Sequence, residues 1–206
     1  MRRCCVILII VSGFAITCHG QAKLSKGMEA LRIYDYFKAK HYFEKSQKKA
    51  EVGASYGLAL IYLNKLNPFH SLDSAYHRIT IARAKFSEQK QSQILKLSEI
   101  GITKEAVNTA YNELAESDFH RRKRKSTSSQ ISRFIERYPE AKVLPDAVRF
   151  RDSLALQEAL KLGQSKSLAD FMTKYPSSSY FQDAKLHFNR LSYIELTQDK
   201  GIEGFV

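Results

Sequence analysis

Apolar positions in this chain recur every three or four residues over most of its length, and no long run alternates apolar with polar side chains. That spacing gathers apolar groups on one face of a helix, so the pattern predicts an all-α protein. Leu31, Tyr34 and Met28 mark a first helix; Ile33 to Ala39 is a tight connection; Ala39, Phe43 and Ser46 share one face of a second helix. Ala54, Gly57, Leu58, Ile61 and Tyr62 form the stripe of a third, ended by Asn67-Pro68. Ser71 or Asp73 then caps a fourth that carries Leu72, Ala75, Ile79 and Ala82. Leu95 to Leu97 and Ala106 to Phe119 predict another pair, broken at Gly101-Ile102-Thr103 with Thr103 as N-cap.

The second half of the chain repeats itself. Phe134-Ile135-Glu136-Arg137-Tyr138-Pro139 returns 37 positions later as Phe171-Met172-Thr173-Lys174-Tyr175-Pro176, since 171 − 134 = 37. The same offset pairs Ser128 with Ser165, Asp146 with Asp183, Ala147 with Ala184, Leu154 with Leu191 and Glu158 with Glu195. A fixed period of this size is the mark of stacked helix pairs. Ser128 or Ser129, and Ser165, are the expected caps of short helices that must end near Tyr-Pro, because a residue before proline is pushed out of helical geometry. A longer helix follows in each copy, with Ala147 or Ala184 as the small residue of close approach and Leu154 or Leu191 two turns on. Gly201 to Val206 reads as the opening of a third copy.

Ala39 followed by Phe43, with Gly27 twelve residues earlier, resembles a tetratricopeptide repeat, although Ser46 replaces the usual alanine and the closing proline is missing. The later repeats are similar to tetratricopeptide-like units of bacterial envelope proteins, among them outer-membrane-assembly lipoproteins and exported Bacteroidetes-type repeat proteins. The resemblance implies an α-solenoid of stacked helix pairs, a cell-envelope location and a protein-binding role, and it carries no catalytic residue across.

The first twenty residues change the picture. Arg2 and Arg3 precede an apolar run from Cys4 to Thr17, and Cys18-His19-Gly20 offers a cleavage site ahead of Gln21. That is the three-part pattern of a secretory signal peptide, with an uncleaved anchor or lipidation at Cys18 as alternatives. The expected division is therefore a leader over 1–20, helix pairs over 21–126, and the repeats over 127–206. All three cysteines lie in the leader, so a mature chain would have neither disulfides nor thiol chemistry. The full chain carries 33 Lys+Arg against 21 Asp+Glu, a net +12; losing Arg2 and Arg3 leaves 31 against 21, or +10. A basic balance points to an anionic membrane surface, an acidic polymer or an acidic partner, and export argues against nucleic acid.

The sharpest charge run is Arg121-Arg122-Lys123-Arg124-Lys125. It reads first as a solvated helix end, where cations favour the macrodipole, and second as a contact for an anionic surface or, without a leader, a nuclear-targeting tract. No HExxH, GxGxxG or GxxxxGK[ST] sequence occurs. His70, Asp73 and His77 share helical spacing but read as surface or half-buried polar groups, so no metal or cofactor is expected. Glu113 with Glu116, and Asp146 with Asp152, read as solvating charges rather than an acid/base couple. The function expected is thus a non-catalytic scaffold that takes a protein or peptide in a groove of first helices, with Arg32, Tyr56, Tyr62 and Arg133 as candidate contacts. The alternative is the stalk or targeting region of a larger envelope enzyme or polymer-binding protein.

Overall fold

The computed structural model describes the backbone of residues 14–198. Ten helices occur among the described residues: α1 (Phe14–Arg32), α2 (Tyr36–Ser46), α3 (Glu51–Leu63), α4 (Leu72–Phe86), α5 (Gln91–Ser98), α6 (Lys104–Lys123), α7 (Ser128–Arg137), α8 (Leu144–Leu162), α9 (Ser165–Lys174) and α10 (Phe181–Gln198). No strand is present among them. Residues 1–13 of the proposed leader and the proposed third copy at 201–206 lie outside the described residues, and the backbone of 14–20 opens α1. No helix among the described residues is long and apolar enough to cross a membrane.

The chain divides into two compact units at Leu114/Ala115, inside α6 rather than at the composition change after Ser126. The reason is that the last turns of α6 have partners in the repeats. Phe119 packs at 5.3 Å from Phe134 and at 5.9 Å from Phe150.

In the first unit α1 packs on α2, α2 on α3 and α3 on α4. Ala39, Phe43 and Ser46 share the buried face that their spacing predicted. Phe43 explains the glycines around it: a Cβ on Gly27 would lie 2.6 Å from its ring, and one on Gly57 would lie 2.3 Å away. A full aromatic ring thus seats directly on the backbones of α1 and α3. Those glycines lower helix propensity by about 1 kcal/mol each, which the close packing of Phe43 offsets. Val52 to Ala59 are all buried, so α3 is the central helix of this unit rather than an amphipathic surface one. Ser71 caps α4, its side chain accepting from the Ser74 N–H, and Thr103 accepts from the Ala106 N–H at the start of α6.

In the second unit α7 packs on α8, α8 on α9 and α9 on α10. Both short helices end one residue before Tyr-Pro, and Tyr138 and Tyr175 leave helical geometry with ψ near 58° and 59°. Both tyrosines turn back into the core, each against the phenylalanine one turn earlier. Ala147 and Ala184 are fully buried, as their role in close approach requires. The caps differ from expectation by one position. Thr127 accepts from the Gln130 N–H, and Gln164 precedes α9 without a side-chain cap bond, so Ser128 and Ser165 are first helical residues.

Those serines have another task. The Glu158 carboxylate accepts from the Ser128 backbone N–H at 2.9 Å and from its hydroxyl. Glu195 accepts from the Ser165 N–H at 2.7 Å and from its hydroxyl in the same manner. A carboxylate from the end of the long helix therefore closes on the first turn of the short one, where free N–H groups and the helix dipole favour an anion.

Candidate binding site

Long helices bury two carboxylates, Asp118, which the sequence does not single out, and Asp152, which it marks only as a solvating charge. Asp118 on α6 is 1% exposed, and Asp152 on α8 is 4% exposed. Burying a charge is costly unless it is paired, and both are paired. Asp118 receives the Arg121 guanidinium at 2.6 Å and Arg122 Nε at 3.2 Å. Arg151 binds Asp152 through Nε at 2.9 Å and Nη2 at 2.6 Å, and its guanidinium lies 4.6 Å over the Tyr175 ring. Asp152 is thus no solvating surface charge: it holds Arg151 in position on the tyrosine of the next repeat. Burial, and next Asp118, push the Tyr138 phenol above its ordinary range.

Arg151, Asp152 and Tyr175 border an open groove of about 520 Å³ in the second unit. Ser129, Ser132 and Glu136 line it from α7, Arg151 and Asp152 form its floor, and Lys174 to Ser178 close it beside the end of α9. Its lining offers serine hydroxyls, the cations of Arg151 and Lys174 and the carboxylates of Glu136 and Asp152, together with Tyr175. Such a wall can hydrogen-bond a peptide backbone. No cluster of three metal-ligating side chains occurs among the described residues.

The residues expected from the sequence fall in several places. Arg133 is exposed on α7, one residue beyond the groove-lining Ser132. Arg32 is exposed in the last turn of α1, and Tyr62 is half-buried at the end of α3. Tyr56 is only 7% exposed and belongs to the core, because every side of the surrounding stretch of α3 is covered. In the basic tract, Arg121 and Arg122 hold Asp118, and Lys123 lies over the rings of Phe119 and Phe150 at 5.4 and 5.3 Å. Arg124 and Lys125 follow in the exposed turn after α6. His70 lies before α4, its Nδ1 3.0 Å from the Tyr62 carbonyl oxygen. Glu116 faces His120 at 3.7 Å, and Asp146 faces Arg149 at 4.0 Å.

The groove serines and Lys174 carry no signal that separates them in sequence from ordinary surface residues. The buried acids have one: each has an arginine within four positions, although exposed i,i+4 pairs share that feature. No family model, curated protein or solved structure matches this chain.

Proposed function

We propose that this protein is a non-catalytic helical-repeat scaffold of the bacterial cell envelope that binds a peptide or a segment of another protein. Successive helix pairs form a solenoid in this reading, and the ligand lies along the first helices of the repeats. The observation that carries the proposal is the groove over α7, where hydroxyl and charged side chains surround an aromatic ring on a packed frame. Arg133 extends the same helix surface outwards. Residues 1–20 act as the export signal, so the mature chain begins at Gln21 and remains in the periplasm or on the outer membrane.

A photo-crosslinking residue at Ser132 tests the binding reading in the native host. It should capture one discrete partner from the envelope fraction, while the same probe at Gln157, exposed on α8, captures none. Equal capture from both positions, or none from Ser132, overturns it. Mass spectrometry of the mature chain tests the export reading separately, with an N-terminus at Gln21 as the expected result.

A further inference from the structure

Nine large hydrophobic residues are exposed among the described ones, and four of them gather at one end of the first unit: Ile33 at 72%, Tyr34 at 73%, Phe37 at 69% and Leu66 at 91%. Two separate connections bring them there, the α1–α2 turn and the α3–α4 loop. These are tied together by an edge-on contact of Phe37 with Phe69 at 4.8 Å and by a hydrogen bond from Asn64 Nδ2 to the Tyr36 hydroxyl at 2.7 Å. Leu66 is itself fixed, since its N–H donates to Asn64 Oδ1 at 2.8 Å. The tips are therefore held in place rather than loose.

An independent observation concerns Tyr34. It is the only residue other than glycine with a positive φ among the described ones, at 61°. Its N–H donates to the Leu31 carbonyl, and the Asp35 N–H donates to the Ala30 carbonyl. That is a Schellman helix end with Tyr34 at the left-handed position, which normally falls to glycine. The same motif ends α5, where Gly101 takes that position with φ 81° and Ile102 bonds back to Leu97. At Tyr34 the strained residue sends an exposed ring outwards beside Ile33. Strain kept at an exposed aromatic is a pointer to use rather than to packing.

The charge around these tips is basic. Arg32, Lys38 and Lys65 are exposed beside them, and Lys40 lies 5.4 Å over the Phe69 ring. The nearby carboxylates are committed: Asp35 accepts from the Lys38 N–H as the cap of α2, and Glu44 pairs with Lys40. Protruding aliphatic and aromatic groups with a cationic rim match the interface of a bilayer, where tyrosine sits at headgroup level and lysine meets anionic lipid.

We infer that this end of the first unit is a membrane-surface docking site, which inserts Ile33, Tyr34, Phe37 and Leu66 into the interface of an anionic bilayer while Arg32, Lys38 and Lys65 bind its headgroups. The contact does not depend on the peptide-binding groove, because it lies in the other unit and shares no residue with the groove lining.

The chain has no tryptophan, so a single introduced one reports on its own position. Full-length L66W is mixed with vesicles of phosphatidylcholine and phosphatidylglycerol, and then with phosphatidylcholine alone. With the anionic vesicles its emission should shift to the blue and be quenched by brominated acyl chains; neutral vesicles should give a much smaller effect. K48W, on the exposed α2–α3 connection, should show neither change. Adding I33S and F37S to L66W should weaken the vesicle response roughly tenfold, as expected for two lost apolar anchors. Y34G should weaken it too while raising Tm, a combination that a purely structural role for Tyr34 does not produce. Unchanged L66W emission with anionic vesicles overturns the inference, as does equal quenching of K48W. Binding that survives in the I33S/F37S background at full strength overturns it also, because charge alone would then account for it.

Discussion

Tyr34 and Gly101 hold the same backbone position at the ends of two helices, and only one of them is suited to it. A left-handed residue with a Cβ costs on the order of 1 kcal/mol. Y34G should therefore stabilise the protein by about 0.5–1 kcal/mol in urea denaturation, whereas G101A should destabilise it by a similar amount. The Phe43 seat works the other way. G57A forces a methyl group to within 2.3 Å of the ring, so it should cost about 1–3 kcal/mol although it favours helix. Tyr138 gives a pH effect. Its phenol is raised in the folded state by burial and by Asp118, so the folded chain keeps a proton that the unfolded chain releases. Stability is then undiminished below about pH 10 and falls as pH rises beyond it towards the folded value. Y138F should flatten this alkaline slope in pH-resolved denaturation, and an unchanged slope would place its origin elsewhere.

Among the elements, the carboxylate clamp is the part of the repeat that spacing alone did not explain. The offset of 37 paired both Ser128 with Ser165 and Glu158 with Glu195, yet it could not show that the two pairs touch. They lie 30 residues apart, and only the antiparallel return of α8 and α10 brings each glutamate to the helix start. The cap was legible where a threonine stood alone, as at Thr103, and was narrowed to Ser71 or Asp73 at α4, where Ser71 takes the position. It was ambiguous in Ser126-Thr127-Ser128-Ser129, where four hydroxyls compete for one position. E158Q should cost about 1–2 kcal/mol, because the charge is lost and the amide offers one acceptor oxygen where the carboxylate offered two to the Ser128 N–H and hydroxyl. Glu195 should also respond to acid. The Ser165 hydroxyl and N–H hold its carboxyl below the ordinary value. The clamp is thus intact above the unfolded pKa near 4.3 and is lost as pH falls through the lower folded one. E195Q should remove that acid-side dependence from the amide exchange of α9.

For the whole molecule, periodicity made the all-α class readable, and the later helix breaks were marked by Pro, Gly, Ser or Thr, whereas Ile33-Tyr34-Asp35 and Gln47 to Ala50 carry none of these as a stop signal. The composition changes at the basic tract, but the packing boundary falls earlier in α6, where Phe119 and Asp118 turn towards the repeats. Three tract cations are likewise engaged within the fold, which a charge count does not reveal. Exposure of Tyr34 also escaped the sequence, because its spacing from Leu31 suits a helix face turned to the core. Each unit has its own apolar core, so damage in one should stay local. F43A removes the ring between Gly27 and Gly57 at a cost of about 3–5 kcal/mol. Hydrogen exchange should then accelerate through α1 to α4 while α9 and α10 keep their protection; acceleration of both sets together would mean a single cooperative block.

The glutamate clamp has a consequence for how such a chain can lengthen. Each 37-residue segment from Thr127 or Gln164 onward contains both halves of its own closure, the serine at its start and the glutamate 30 residues later. A tandem duplication of that stretch of gene would deliver a cassette whose helix start is already satisfied, with no compensating change required elsewhere. As far as this clamp goes, a whole added cassette keeps its helix start satisfied, whereas an insertion of a few residues between serine and glutamate would part the two halves.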